Sequence, residues 1–268
     1  MSSSAPDGSG RFSRYRALVP QMIKREISER YKGSILGVLW SFITPLILLG
    51  IYTFVFGTLF NSRWTGEATT ADFAVILFAG LLMFQLFSDV VSRAPSLILH
   101  NTNFVKKIVF PLEVLIPVQL GSAMFHALIS ILILLVAVFF VQGYVPLTIF
   151  WLPVILTPFA LMMLGFGWFF AAFGVYVRDV DQVIGTALTA LLFLAPIFYP
   201  PDVIPEWIAP YIYLNPIVVP IELLRDIAIF GKPPSLYLWS IYSAISLVIA
   251  ALGLGFFQKT RGGFADVL

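Results

Sequence analysis

The chain has 268 residues, 59% of them apolar and only 11% charged, with a net charge of +2 and no cysteine. A soluble domain carries about 25% charged residues and cannot hide this much apolar surface. A free-standing soluble protein is therefore excluded, as are disulfides, thiolate metal sites and a cysteine nucleophile, and the mean hydropathy of +0.95 points to an integral membrane protein.

Residues 1–10 (MSSSAPDGSG) are small and polar and read as a disordered tail. Residues 11–34 hold seven lysines and arginines against two glutamates, a net of +5 in a chain whose total is +2. Pro20 suits a first helical turn, where its missing N–H is harmless. Ile23, Ile27 and Tyr31 then recur on one helical face. Glu26 and Arg30 form an i,i+4 pair, and Gly33 can end the helix. This is a basic amphipathic helix lying on a membrane surface. It anchors the topology and binds anionic lipid, or it also receives an anionic lipid-linked substrate. No secretory signal precedes it, because the first long apolar run begins only at Ile35 and continues without a charge to Phe60.

An all-α membrane protein with six spans follows, at 35–60, 73–92, 114–141, 151–177, 183–199 and 236–257. With both termini in the cytoplasm, 13 of the 16 lysines and arginines face inward, and only Arg63, Arg225 and Lys232 lie outside. That asymmetry sets the orientation, and both termini inside require an even number of crossings. The fifth span is short and runs into Pro196, Pro200 and Pro201; nine of the 18 prolines lie between 196 and 234. Irregular backbone at membrane depth survives only beside protein or a water-filled cavity. Residues 196–222 are therefore expected to dip back into the outer leaflet as short broken helices. Trp207, Tyr211 and Tyr213 would sit at the interface. An ordinary proline-rich external loop is the plainer reading.

Candidate chemistry is sparse. No phosphate-cradling loop, H-E-x-x-H or G-x-S-x-G occurs. Only His100 and His126 could supply imidazole, so no histidine-rich metal site exists. Paired acids lie at membrane edges, Asp179 with Asp181 and Glu222 with Asp226. Asp89 reads as a satisfied interfacial group, and His126, at mid-span, as an interhelical hydrogen-bonding group. Gln85 and Gln119 read the same way. Residues 93–113 (RAPSLILHNTNFVKKIVFPLE) are too apolar for a solvated loop. They suit a short helix docking into another protein's groove, or an interfacial turn. Tyr52, Phe56 and Phe60 lie at i, i+4, i+8 of the first span. Such a stripe of rings can stack on sugar faces and let a polymer slide. Phe159, Phe166, Phe170 and Phe173 form a second stripe, and packing is the plainer account of both.

Several strings together carry a resemblance: RYKGSILGVLW at 30–40 with Pro45, VFGTLF at 55–60 and KIVFPLE at 107–113. YVRDV at 176–180, APIFY at 195–199, NP at 215–216 and GGFAD at 262–266 complete it. In this order the chain resembles the membrane subunit of bacterial polysaccharide ABC exporters, of ABC-2 type, from about residue 15 to the end. Leu112 stands where that family often has arginine. The resemblance implies six spans, an N-terminal amphipathic helix and a re-entrant segment before the last span. It implies a homodimer paired with two copies of a separate ABC ATPase that binds ATP and Mg. This chain would then have no cofactor, metal or catalytic residue of its own, and no nucleic-acid partner.

The implied cargo is an undecaprenyl-pyrophosphate-linked, O-antigen-like polysaccharide, moved from cytoplasm to periplasm across the bacterial inner membrane. The path would run along spans one and five, with Tyr52, Phe56 and Phe60 as its glycan-channel residues. Within 93–113 the resemblance places the coupling helix, so Asn103, Phe104, Lys106 and Lys107 become candidate ATPase contacts. Arg14, Arg16, Lys24 and Arg25 become candidates for holding the lipid pyrophosphate. Export of teichoic acid, a drug or another lipid would use the same spans. A polyprenyl-linked transferase would rest on Asp179 and Asp181, and a proton-coupled carrier on His126 and Asp89.

Overall fold

The computed structural model of the chain describes residues 8–55, 70–102, 110–177 and 179–267, and every regular element among them is helical. Five stretches are long and apolar enough to cross a membrane: Gly37–Val55, Ala71–His100, Leu112–Gln142, Leu147–Tyr176 and Leu236–Gly263.

Helix α1 (Gly8–Arg30) takes in residues 8–10, expected to belong to the tail, and ends before residue 34. Pro20 lies inside it rather than in its first turn. The helix continues on both sides because a proline removes only one backbone donor, while the apolar residues around it are held by packing. Leu18, Val19, Met22 and Ile23 join a buried cluster with the start of the third long span. Ile23 sits over Gly121, where an added Cβ would collide with it. After Arg30 the chain turns, and Gly33 adopts a φ of 85°, a left-handed conformation that favours glycine.

Helix α2 (Trp40–Tyr52) follows a 3-10 turn at Gly37–Leu39. The apolar stretch it belongs to, Gly37–Val55, is almost wholly unburied, whereas the stretch containing α3 (Thr70–Val91) is mostly buried. Helix α3 is apolar around most of its circumference and is buried along most of its length at the centre of the bundle. Helix α4 (Ala94–His100) continues it after a turn, with Pro95 in its first turn. Helix α5 (Leu115–Gln142) ends at Gly143, whose φ of 81° lets its N–H cap the Phe139 carbonyl at 2.9 Å.

Helices α6 (Leu152–Tyr176) and α10 (Leu236–Thr260) form the closest crossing. A Cβ on Gly165 would come within 2.6 Å of the Ile249 backbone, and one on Gly253 would strike the Gly165 carbonyl. Small residues let the two backbones touch. Helix α4 docks on α6 in the same way, with Gly174 against Pro95. The last helix, α11 (Phe264–Val267), places the fully buried Phe264 edge-on to Phe257 at 5.5 Å. Arg261, just before it, pairs with Glu113 at 3.1 Å.

The expected fifth span is the short helix α7 (Val180–Leu194), 15 residues long, which stops at Ala195 instead of reaching 199. Pro196 forces the stop. The chain returns through α8 (Ala209–Ile212) to α9 (Val218–Ala228), which is nearly all buried against α3 and α6. Broken backbone inside a bundle needs donors for the carbonyls it strands. The returning segment supplies them. Asn215 donates to the Leu191 carbonyl at 2.9 Å, and the Tyr199 hydroxyl reaches those of Phe193 and Leu194 at 3.3 Å.

Arg225 completes this set. Its Nη1 donates to the Pro196 carbonyl at 2.7 Å, its Nη2 to Ile197 at 3.4 Å, and its Nε to Ile76 of α3 at 3.1 Å. Only 3% of it is exposed. The sequence reading places Arg225 among three external cations. It is instead an internal tie between α9, the end of α7 and α3. Gly80 makes room for it, since a Cβ there would lie 2.8 Å from Nη2.

Candidate functional site

A cavity of about 480 Å³ lies between the α1–α2 connection, α2, α3 and α5, with Leu192 of α7 beside it. That volume falls in the range of small-ligand sites, about 300–1,000 Å³. Its walls are uneven in chemistry. From α2 come Trp40, Pro45, Leu48 and Tyr52, and from α3 Phe78 and Leu82, all apolar or aromatic.

One end is polar on two sides. On the α3 side, Arg30 Nη1 lies 3.4 Å from Asp89 Oδ2, and Gln85 Nε2 donates to Asp89 Oδ1 at 3.3 Å. Gln119 of α5 donates to the Asp89 and Val90 carbonyls at 3.1 and 3.0 Å, holding the end of α3 against α5. On the other side, the Tyr31 hydroxyl lies 2.7 Å from Ser41 Oγ and 3.3 Å from His126 Nδ1. The Tyr31 and His126 rings meet edge-on at 5.6 Å. His126 Nε2 is buried and has no hydrogen-bond partner among the described residues. Arg30 and Asp89 are the two charged side chains among the described lining residues, and they neutralise each other.

The sequence candidates distribute unevenly. Tyr52 lines the cavity; its partners in the stripe, Phe56 and Phe60, lie outside the described residues. So do Asn103, Phe104, Lys106 and Lys107. The segment leading to them is α4, which turns Ala94, Pro95 and Ile98 inward and ends with Asn101 donating to the Leu97 carbonyl at 2.9 Å. Lys24 and Arg25 are exposed on α1, away from the cavity, and Arg25 lies 3.4 Å from Glu29. The side chains of Arg14 and Arg16 fall outside the described residues.

The expected Glu26–Arg30 pair does not form. Arg30 turns to Asp89, whose carboxylate is fixed by Gln85. Asp89 is thus a satisfied group and His126 an interhelical hydrogen-bonding one. The second aromatic stripe packs. Phe159 is fully buried and stacked on Phe87 at 6.2 Å, and Phe166 meets the same ring edge-on at 5.9 Å.

Two groupings escape sequence reasoning. Arg30, Tyr31 and Ser41 are gathered around the cavity by the turn after α1, a tertiary event with no periodic signal. Arg225 carried a signal: it shares a helical face with Val218, Ile221 and Ala228, which marks it as inward-facing.

Residues 18–229 match the ABC-2 type transporter family. The chain is similar to the O-antigen export system permease protein RfbA of Klebsiella pneumoniae, with 27% identity over 253 residues, covering 94% of this chain and 95% of that protein. Its likeness to the RfbA protein of Myxococcus xanthus is 25% over 254 residues, with 94% and 95% covered. It is also similar to the polysialic acid transport protein KpsM of Escherichia coli, 28% identical over 256 residues and covering 92% and 95%.

Proposed function

The chain belongs to the ABC-2 type transporter family, and we propose that it is the permease subunit of an ATP-driven exporter of lipid-linked polysaccharide. The observation that carries this reading is the near full-length similarity to relatives named for O-antigen export and polysialic acid transport. The cargo is an undecaprenyl-pyrophosphate-linked glycan passing from cytoplasm to periplasm. ATP and Mg are bound by a separate ABC ATPase, two copies of which serve a dimer of this chain in the bacterial inner membrane.

In this reading α7 makes the sixth crossing, residues 196–222 form a re-entrant segment on the outer side, and both termini are cytoplasmic. Helix α1 lies amphipathically at the inner surface. Its Arg14, Arg16, Lys24 and Arg25 meet the pyrophosphate. Tyr52, Phe56 and Phe60 line the glycan path. The ATPase pushes on 93–113, through Asn103, Phe104, Lys106 and Lys107. Helix α4 transmits that push because it is nearly continuous with α3, and Asp89 sits one turn before the joint. Displacing Asp89 strains its contacts to Arg30 and Gln119, which opens the polar end of the cavity.

The test is purification of the tagged chain from its own cells. One ATP-binding protein recovered at one copy per permease is the expected result. A detergent-stable chain with no nucleotide-binding partner would overturn the reading.

A further inference from the structure

We propose that the cavity between α2, α3 and α5 binds one neutral hexose or N-acetylhexosamine unit of the transported glycan within a single copy of the chain. The source of the sugar rests on the exporter reading; the binding chemistry does not. Four features of the cavity converge on this ligand class.

The first is the pairing of a flat apolar face with clustered hydrogen-bonding groups. Trp40, next to Ser41 at the polar end, is a ring against which the C–H face of a pyranose can lie. Asp89 and Gln85, held 3.3 Å apart, offer a carboxylate acceptor beside an amide with both donor and acceptor atoms. Adjacent sugar hydroxyls need that juxtaposition. The Tyr31 hydroxyl also lines the cavity and can either donate or accept.

The second is charge. Arg30 is engaged by Asp89 at 3.4 Å, and no further charged side chain lines the cavity among the described residues. A phosphate entering here would face a carboxylate and would have to take its counter-ion from that partner. A neutral polyhydroxyl ligand meets no such obstacle.

The third is size. About 480 Å³ accommodates a ligand of one or two rings and not a polymer. The fourth is preorganisation. Asp89 is fixed by Gln85 and Arg30, and Tyr31 by Ser41 and His126, before anything binds. A site already in its binding geometry loses little ordering entropy on association.

The experiment uses the full permease–ATPase complex in lipid nanodiscs and saturation-transfer NMR. The probes are the methyl glycosides of glucose, galactose and N-acetylglucosamine, with sodium phosphate as the anionic competitor. At least one glycoside is expected to bind, with no displacement by phosphate. Thr44→Phe projects a ring into the cavity from α2 and removes none of the hydrogen bonds at its polar end; it is expected to abolish the signal. Gln85→Ala, a milder change, is expected to weaken binding about tenfold. Absence of binding to the wild-type complex, an undiminished signal from folded Thr44→Phe, or displacement by phosphate would each overturn the site. Deletion of the chain reports separately on the parent reading. If surface glycan is lost on deletion yet no glycoside binds, the sugar site alone fails. If surface glycan persists while a glycoside binds, export fails and the site stands.

Discussion

Arg225 shows how one side chain can hold a broken helix inside a membrane bundle. A buried guanidinium is tolerated only when its donors are used, and here they satisfy carbonyls that Pro196 has stranded. Replacing it by methionine fills the volume but leaves those carbonyls unpaired, at about 1–3 kcal/mol for each buried group. Arg225→Met is therefore expected to lower the unfolding midpoint in detergent strongly. Arg225→Lys should fall between, because one ammonium cannot reach three acceptors set around a planar fork. A wild-type midpoint for Arg225→Met would mean that the tie is dispensable. The Arg30–Asp89 pair belongs to another regime. Its side chains are 33% and 16% exposed, so its coupling in a double-mutant cycle should be at most about 1 kcal/mol. Asp89→Asn and His126→Gln should both insert and fold normally, and His126→Gln, which keeps an acceptor for Tyr31, should export at the wild-type rate. Loss of export in that variant alone would revive a proton-carrying role for the imidazole.

Among the elements, the crossing of α6 and α10 is set by Gly165 and Gly253. The contrast with Gly255, two residues along α10, gives an internal control. A Cβ on Gly255 meets nothing within 4 Å, whereas one on Gly253 strikes the Gly165 carbonyl. Gly255→Ala is expected to be neutral or to stabilise the helix by up to about 1 kcal/mol. Gly253→Ala should separate the helices and yield protein that aggregates on extraction, read by size-exclusion profile. The two variants differ only in which face of one helix carries the methyl group. That difference also explains what the sequence made legible. Long apolar runs such as 114–141 and 236–257 announce themselves by length, and the helices found there differ by only a few residues. The break of α7 is written in Pro196. Which glycine meets which backbone depends on a neighbouring helix, and no local period encodes it. The coupling segment tests a third element. Charge reversal of Lys106 and Lys107 together is expected to leave insertion intact and to abolish export while the partner ATPase still hydrolyses ATP. Export at the normal rate by the double variant would move the contact elsewhere.

For the whole molecule the open matter is how many times the chain crosses the membrane, and α7 decides it. Five stretches span by length and composition, and an odd number would put the termini on opposite sides. Charge does not separate the two counts: six crossings leave Arg63, Arg225 and Lys232 off the inner side, five leave Arg63, Lys259 and Arg261, and 13 lysines and arginines stay inward in both. At 1.5 Å per residue, the 15 residues of α7 rise only about 22 Å against a hydrocarbon thickness of about 30 Å. The deficit is covered if residues 195–199 continue the crossing as irregular backbone. Arg225 caps the Pro196 and Ile197 carbonyls there, and Asn215 and Tyr199 cap those of Leu191, Phe193 and Leu194 at the end of α7, which makes that possible at membrane depth. Because the chain has no cysteine, single cysteines can report sidedness directly. Asp181 in the first turn of α7 and Glu206 beyond its far end are exposed, while Tyr144 and Lys259 are exposed references near the ends of α5 and α10. A membrane-impermeant maleimide reaching only the periplasmic face should label Tyr144→Cys and Glu206→Cys. It should label Asp181→Cys and Lys259→Cys only after the membrane is opened. If Asp181→Cys and Glu206→Cys label from the same side, α7 does not cross. Arg225 would then stabilise a hairpin within one leaflet instead of completing a sixth span.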